Sequence, residues 1–427
     1  ISLIFENIKV MDHQISSSNQ YQIHQMKILH TSDWHLGQKF LNHNRFHENE
    51  QTLNWLLQLI DEQQIDVLII AGDIFDTMNP PNYARTLYYN FLNKLEKTHC
   101  RHTIIVGGNH DSPTTLNAPR ELLKTKNIYV VGAATEKLEE EIITLKNKAG
   151  EIEAVVAAVP FLRDPDIRRS VAGELFEDRE NRIRTGIKNH YHQLAENMLQ
   201  YEDLGVPIIA TGHLFASKAT DNKDSKIYIG NLENIGVEDF PDVFDYVALG
   251  HIHKAQRVYF TNHIRYSGSL IPLGFKEIED VKSVYLIDFK GRNFEKTTID
   301  VPVSRRLIQV SGSYDEVTAE LMALEIDKNA LTAWVEVVVL TEKMIPNLME
   351  DLKAIVNNKN IQILNFRLKN IIQKSLQPIE SQNLKTMNEL EVFEKRLENV
   401  DATPTEKKEL TATFKELINW IEERDIE

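Results

Sequence analysis

Short apolar runs that each end in a polar cluster recur between residues 26 and 290. Five of these runs have the length of a β-strand and are followed, within three residues, by Asp, Asn or His. Continuous apolar runs of this length are typical of strands that are buried in a layered α/β sheet. The five runs lie at 28–30, 67–70, 103–106, 208–210 and 246–249.

Amphipathic helices are predicted between the first three of these strands. Apolar residues recur at helical spacing from 55 to 60 and again from 87 to 95. Strands that alternate with helices indicate α/β architecture. An alternating stretch at 283–289 is followed by Lys290-Gly291, which predicts a closing hairpin. We therefore expect a main α/β domain at 26–300.

The pattern changes near residue 301, where a smaller α+β domain is predicted. A strand at 307–310 leads to Ser313, whose spacing to Glu316 predicts a capping box at the start of a helix. Strands at 334–340 and 361–368, with a helix at 348–355 between them, complete this unit. Its predicted bounds are 301–372.

The end of the chain predicts a polar linker followed by two amphipathic helices, near 390–397 and 410–421. Thr403, Pro404 and Glu406 supply an N-cap, a first-turn proline and a capping box for the second helix. We expect the linker and helices at 373–427 either to dock on another protein or to pack on their own body.

Composition narrows the class of protein. No stretch approaches the roughly 18 apolar residues that span a bilayer, so we expect no membrane contact. The single cysteine, Cys100, excludes an intrachain disulfide and a thiolate zinc site, and it fits a reducing compartment such as the cytoplasm. The net charge of −15 argues against a generally basic nucleic-acid-binding surface.

The first residues resemble neither a signal peptide nor a structural element. They lack the basic, then apolar, then small-residue order of a secretory signal. Met26 directly precedes the first predicted strand. We expect residues 1–25 to be a non-native extension.

The polar clusters at the strand ends are rich in metal ligands. Ligands of open α/β sheets gather beyond the carboxyl ends of the strands, so we expect one shared site. Each cluster alone has a simpler explanation: Asp73 as a helix N-cap, or any histidine as a structural one. The five clusters together favour a metal centre. Its candidate ligands are Asp33, His35, Asp73, Asn109, His213, His251 and His253.

Charge indicates which substrates such a centre would suit. Two divalent ions bring four positive charges, and Asp33 and Asp73 remove only two of them. The net positive charge of about +2 favours an anionic phosphodiester over a neutral substrate. Gly107 and Gly108 would let the backbone come close to a phosphate.

In order along the chain, the motifs D-x-H, G-D-x-x-D, G-N-H-D, G-H and G-H-x-H resemble those of the calcineurin-like metallophosphoesterases. The resemblance covers about residues 26–290. Within that superfamily, the strings at 32–37, 72–76 and 250–253 are most similar to the SbcD subfamily, the nuclease subunits of bacterial SbcCD complexes. The family resemblance implies a layered αββα sandwich, with residues 301–372 as a capping domain.

The resemblance also implies roles for individual residues. It assigns Asp73 as a bridge between two metals, and His110 to the scissile phosphate rather than to a metal. Asp76 either orients His110 or caps a turn. Mn²⁺ is the usual metal of the family, although this set of oxygen and imidazole ligands also suits iron or zinc. The implied ligand sets are Asp33, His35, Asp73 and His253 for one ion, and Asp73, Asn109, His213 and His251 for the other.

Substrate and partners follow from the same resemblance. It implies action on double-stranded DNA ends and hairpins in repair and recombination, with an SbcC-type ATPase, as a homodimer within a heterotetramer. No P-loop motif occurs, so another chain would use the ATP. Arg45 and the arginines at 163–184 are candidates for contacts with DNA phosphates. Solvated helix faces are the alternative for most of the latter, because acidic residues lie among them.

Two other functions fit part of the pattern. A phosphatase or another phosphodiesterase of the same superfamily is one, but Thr77-Met78 stands where protein phosphatases usually have Arg-Gly, and Asp111 where they have Glu. A non-catalytic subunit that binds DNA ends is the other. The intact set of candidate ligands argues against it.

Overall fold

The structure is a computed structural model of the 427-residue chain. It describes residues 25–167, 176–216, 235–341 and 347–370, together with 390, 393, 397, 407, 408 and 410–415. The expected extension at 1–25, apart from Gln25, and most of the expected linker and helices at 373–427 lie outside the described residues. None of the described helices is long and apolar enough to cross a bilayer.

The helices and strands are named here in chain order. The strands are β1 (Gln25–Thr31), β2 (Lys39–Phe40), β3 (His43–Asn44), β4 (Val67–Ala71), β5 (His102–Val106), β6 (Ile128–Val131), β7 (Ile142–Lys146), β8 (Ile152–Ala157), β9 (Ile208–His213), β10 (Tyr246–Gly250), β11 (Gln256–Arg257), β12 (Ile264–Tyr266), β13 (Ser283–Lys290), β14 (Asn293–Asp300), β15 (Leu307–Gly312), β16 (Ala333–Thr341) and β17 (Ile361–Asn370). The α-helices are α1 (Phe46–Glu62), α2 (Asn82–Leu95), α3 (Pro113–Asn117), α4 (Arg120–Lys124), α5 (Asp164–Ile167), α6 (Phe176–Met198), α7 (Tyr314–Ala323) and α8 (Leu348–Val356).

Two six-stranded mixed sheets form the main body. The first has the order β14-β13-β1-β4-β5-β6 and the second the order β11-β12-β10-β9-β8-β7. In the first sheet β1, β4, β5 and β6 run parallel. In the second sheet β8, β9, β10 and β12 run parallel. The five strands predicted to carry the site therefore belong to two sheets, three to the first and two to the second.

Three apolar layers hold these sheets and their helices together. The layer between the sheets includes Ile69 and Ile104 from the first sheet and Ile209 and Ala248 from the second. The outer face of the first sheet packs against α1 and α2. The outer face of the second sheet packs against α6. This order of helix, sheet, sheet and helix confirms the predicted α/β fold, an αββα sandwich.

A three-stranded subdomain follows the main body, and we define it as β15 to β17 with α7 and α8. Its sheet has the order β15-β16-β17. The predicted capping box is present at the start of α7, where Ser313 N donates to Glu316 Oε2 at 2.8 Å and Glu316 N donates to Ser313 Oγ at 3.4 Å. The predicted hairpin is also confirmed, since β13 pairs with β14 through a turn at Gly291.

The chain also divides into two compact units by internal contacts. Among the described residues, one unit contains those within 25–339 and 347–367, and the other contains 340–341, 368–370 and the described residues from 390 to 415. Within the second unit, the rings of Phe393 and Phe414 stack with centroids 3.9 Å apart. This contact lies in the region where two amphipathic helices were predicted.

The layer between the sheets should dominate stability. Ile104 is fully buried there, so Ile104→Ala should lower the free energy of unfolding by about 2–5 kcal/mol through lost apolar contacts and a cavity. Urea unfolding followed by circular dichroism measures this change. Leu122→Ala is the matched control, because the Leu122 side chain is 66% exposed; it should change that energy by no more than about 0.5 kcal/mol. Equal losses in the two variants would contradict the packing described.

Candidate metal centre

The seven candidate ligands come from the carboxyl ends of strands in both sheets. Asp33 and His35 follow β1, Asp73 follows β4 and Asn109 follows β5. His213 ends β9, while His251 and His253 follow β10. Because parallel strands of the two facing sheets end at the same edge of the sandwich, the structure brings all seven to one place.

Four of these residues have a left-handed backbone. The φ angles of Asp33, His35, Asp73 and His251 are 52°, 45°, 50° and 101°. Such conformations cost about 1–3 kcal/mol for a residue other than glycine and persist only where the surroundings fix them. Here Asp33 N donates to Gly72 O and His35 N donates to Asp73 O, both at 3.0 Å. The loop after β1 is thus held by hydrogen bonds to the loop after β4.

Glycine is required where these loops touch. A Cβ atom on Gly108 would overlap the amide nitrogen and a carboxylate oxygen of Asp73. A Cβ atom on Gly250 would overlap the carbonyl oxygen of Ala71. The sequence predicted that Gly107 and Gly108 let the backbone come close to a phosphate; in the structure Gly108 and Gly250 also make room for atoms of a neighbouring loop.

Asp111 links two of the loops, a role that the sequence reasoning missed. Its buried carboxylate accepts hydrogen bonds from the backbone N–H groups of Ile74, Phe75 and Gly108, at 3.1, 2.9 and 2.9 Å. Burial and the neighbouring Asp73 raise the pKa of Asp111 to about 6, while the three N–H groups oppose this rise. The G-N-H-D motif contained this residue, but spacing alone does not reveal that its oxygens face backbone amides.

The potential ligand atoms form two groups in which every residue except the half-buried His253 is buried. In each group, one atom from each residue lies within 4.8 Å of the others. Asn109 joins the second group, because its Oδ1 is 3.0 Å from His213 Nε2 and 3.1 Å from His251 Nδ1. A third and more exposed group shares His35. The groups are Asp33, His35 and His253; Asp73, His213 and His251; and His35, Asp76 and His110.

Asp73 faces the first two groups with one oxygen. Its Oδ2 is 3.2 Å from His213 Nε2 and 3.5 Å from His35 Nε2. Its Oδ1 accepts a hydrogen bond from the backbone N–H of His110 at 2.9 Å. A carboxylate has two oxygens with which it could bridge two ions, and here Oδ2 is the oxygen nearest to both His35 and His213.

Hydrogen bonds on Nδ1 orient three of the imidazoles. His213 Nδ1 donates to Ala71 O at 2.9 Å, which leaves Nε2 facing Asn109 and Asp73. His35 Nδ1 lies 3.2 Å from Asp76 Oδ1, and His253 Nδ1 lies 3.2 Å from Glu277 Oε1. Partners of this kind fix the tautomer and direction of metal-binding histidines. The sequence reasoning missed Glu277.

The electrostatics of the centre favour bound positive charge. Burial alone lowers the pKa of His35 and of His213, but the bond to Asp76 and the charge of Asp73 raise that of His35, and Asp73 raises that of His213, each to about 9. Burial also raises the pKa of Asp73, yet His213 and His35 hold it well below its usual range. By contrast, burial and the nearby His213 lower the pKa of His251 to about 3.

These observations test whether the residues fit a metal. Metal ligands must give up protons, so a divalent ion would replace the positive charge that the nearby carboxylates favour on His35 and His213. His35 Nε2 is buried and, in the described part of the chain, lacks a hydrogen-bond partner. Carboxylate, amide and imidazole donors together suit Mn²⁺, Fe²⁺ or Zn²⁺. The donor set therefore fits divalent ions.

His110 lies beside the ligands with an exposed side chain. Its Nδ1 donates to the carbonyl oxygen of Asp76 at 2.8 Å, so Nε2 is left for another partner. The centroids of the His110 and His35 rings are 4.9 Å apart. Asp76 therefore contacts His110 through its backbone, whereas its carboxylate contacts His35.

The prediction for Arg45 needs correction. Its side chain is buried: Nε donates to Glu48 Oε1 at 2.9 Å, and Nη1 donates to Gln38 Oε1 and Pro272 O. A buried, ion-paired guanidinium is not placed to meet a DNA phosphate.

The arginines at 163–184 are described only in part, since residues 168–175 lie outside the described range. Arg163 Nη2 donates to the carbonyl oxygen of Asp111 at 3.1 Å. Arg184 pairs with Asp239 at 2.9 Å. Both of these described arginines bind groups of the protein itself.

Two family models match the chain. The model described as calcineurin-like phosphoesterase matches residues 26–255, which is more than half of the chain. The model described as type 5 capsule protein repressor C-terminal domain, SbcD_C, matches residues 303–401. A solved dimetal phosphatase from Danio rerio aligns at 12% identity over 65% of this chain and 99% of that chain, and its TM-score of 0.37 is too low to carry an argument.

Three similar relatives are named as the SbcD component of the nuclease SbcCD. The Escherichia coli K12 protein is 36% identical over 380 residues, covering 87% of this chain and 92% of the relative. The Rhodobacter capsulatus protein is 32% identical and covers 62% and 67%, and that of Bacillus subtilis is 32% identical and covers 62% and 66%. The resemblance predicted from the motifs is thereby confirmed. The chain belongs to the SbcD family of nuclease subunits, within the calcineurin-like phosphoesterases.

Proposed function

We propose that this chain is a two-metal phosphodiesterase that cuts DNA. The observation that carries the proposal is that the two ligand groups meet at Oδ2 of Asp73, which lies 3.5 Å from His35 Nε2 and 3.2 Å from His213 Nε2. Divalent ions bound there, most simply Mn²⁺, would supply an activated water and neutralise charge on the phosphate. The proposed ligand sets are Asp33, His35, Asp73 and His253 for one ion, and Asp73, Asn109, His213 and His251 for the other.

His110 is proposed to act on the scissile phosphodiester. With Nδ1 bonded to the carbonyl oxygen of Asp76, its Nε2 can donate a hydrogen bond to a phosphate oxygen or a proton to the leaving oxygen. The backbone of Asp76 holds the ring, and the Asp76 carboxylate orients His35. Asp76 is thus a positioning residue for both histidines.

Substrate and partners follow from family membership. The relatives are named as components of SbcCD nucleases, so we propose double-stranded DNA ends and hairpins as substrates and an SbcC-type ATPase as partner. The proposal extends to a homodimer within a heterotetramer, to a cytoplasmic location, and to 301–372 as a capping domain. Because this chain has a net charge of −15, the partner would supply much of the affinity for DNA.

The central test is Mn²⁺-dependent cutting of a labelled linear duplex. Asp73→Asn keeps the size of the side chain but removes the shared charge, so the rate should fall more than about 100-fold. Asp61→Asn, at an exposed position of α1, is the matched control and should keep the wild-type rate. Hydrolysis of a phosphopeptide without any cutting of DNA would reject the nuclease assignment.

His110→Leu separates catalysis from metal binding. Loss of the imidazole should lower kcat for DNA cutting by about 10²–10⁴-fold. The content of bound Mn²⁺, measured by plasma mass spectrometry, should stay near that of the wild type. His47→Leu, which alters an exposed histidine of α1, is the control. Wild-type cutting by the His110 variant would remove His110 from the mechanism.

The end of the chain is proposed to bind the ATPase. Removal of residues 379–427 should abolish co-purification with an SbcC-type partner. Mn²⁺-dependent cutting of single-stranded DNA should remain, because all seven proposed ligands precede the deletion. Retained co-purification would show that the partner binds elsewhere.

A further inference from the structure

Glu277 and Lys282, which belong to neither ligand group, hold His253 in place. Glu277 Oε1 lies 3.2 Å from His253 Nδ1 and accepts its N–H. Glu277 Oε2 accepts hydrogen bonds from Lys282 Nζ at 2.6 Å and from Leu273 N at 3.0 Å. Lys282 Nζ also donates to His253 O at 3.0 Å. Both the ring and the backbone of His253 are therefore fixed by this pair.

The segment that carries Glu277 is itself held by Gln38 and Phe40, before and in β2, and by Arg45, which precedes α1. Gln38 Nε2 donates to Leu273 O at 3.1 Å, and Arg45 Nη1 donates to the carbonyl oxygen of Pro272. The ring of Phe275 contacts the ring of Phe40, with centroids 5.0 Å apart. The position of Glu277 therefore depends on Arg45 and Phe40.

Phe40 contacts the three-stranded subdomain directly, and Arg45 is linked through Glu48 to Arg305, which precedes it. The fully buried Glu48 pairs with Arg45 at 2.9 Å and with Arg305, two residues before β15, at 3.3 Å. The Arg305 guanidinium lies 4.0 Å from the centroid of Trp334, and that ring stacks on Phe40 at 5.4 Å. One continuous set of contacts thus joins Arg305 to His253.

We propose that Glu277 is a positioning residue for His253 and that Arg305 supports it through Glu48 and Arg45. The inference deepens the proposed function and rests on it, because it concerns His253 as a metal ligand. The Glu277 carboxylate keeps the proton of His253 on Nδ1, so the Nε2 lone pair is available for a metal beside Asp33 and His35. Without Arg305, the buried Glu48 carboxylate would keep a single cationic partner, Arg45. We expect the Arg45 guanidinium to shift to compensate.

The test measures Mn²⁺ binding to the metal-free full chain by isothermal titration calorimetry. Glu277→Gln should weaken one of two Mn²⁺ sites by about 10–100-fold and leave the other unchanged. Glu277→Asp, which retains the charge, should show an intermediate loss. The visible spectrum of the Co²⁺-loaded chain should change in Glu277→Gln, a signature that a purely structural role would not produce.

The role of Arg305 is tested by comparison with its neighbour Arg306. Arg305→Ala should weaken the same Mn²⁺ site by about 2–30-fold, with little further loss when it is combined with Glu277→Gln. Arg306→Ala changes an exposed arginine and should bind Mn²⁺ as the wild type does. Additive losses in the double variant would overturn the role of Arg305.

His253→Ala distinguishes the two levels of the proposal. If this variant keeps both Mn²⁺ sites at wild-type affinity, the proposed ligand set fails and the inference fails with it. If it loses one site while Glu277→Gln keeps both at wild-type affinity, the positioning role of Glu277 is overturned and the proposed function stands.

Discussion

The buried carboxylate of Asp111 is the interaction on which the rest of the centre depends. Removing a carboxylate from water is costly unless donors replace the water. Three backbone N–H groups do so here, from the two loops that carry Asp73 and Asn109. Hydrogen bonds to a charged group each contribute about 1.5–3 kcal/mol. Because two of the donors directly follow Asp73, this anion fixes the place where the two ligand groups meet.

The same loops combine backbone strain with concentrated charge. The backbone is left-handed at Asp33, His35, Asp73 and His251. Hydrogen bonds between the loops after β1 and β4 hold the first three of these residues in place. Asp33 and Asp73 bring negative charge to a site that excludes most water. The rigid scaffold cannot relax by turning these groups outward, so a compensating positive charge is required. Against the effect of burial, the neighbouring carboxylates raise the pKa values of His35 and His213 to about 9.

Much of this arrangement could be predicted from the sequence, because strand-length apolar runs and the residues after them are local signals. The ends of β1, β4, β5, β9 and β10 were predicted in this way, and so was the capping box at Ser313. These local signals did not assign the strands to two sheets, since pairing depends on contacts between distant residues; only the family resemblance implied a two-sheet sandwich. The same holds for Glu277, whose partner lies 24 positions earlier. Arg45 was predicted to contact DNA phosphates, but its side chain is buried and pairs with Glu48, one helical turn later.

Ligands drawn from both sheets also impose an order on the formation of the site during synthesis. A ribosome-bound chain that has been synthesised as far as β6 already contains Asp33, His35, Asp73 and Asn109. The three later histidines, His213, His251 and His253, have not yet been synthesised. Asp33 and His253 are separated by 220 positions, so their meeting must await long-range closure of the second sheet on the first. A chain translated only as far as β6 therefore lacks three of the seven proposed ligands, and the proposed centre cannot be complete until the second sheet has been made.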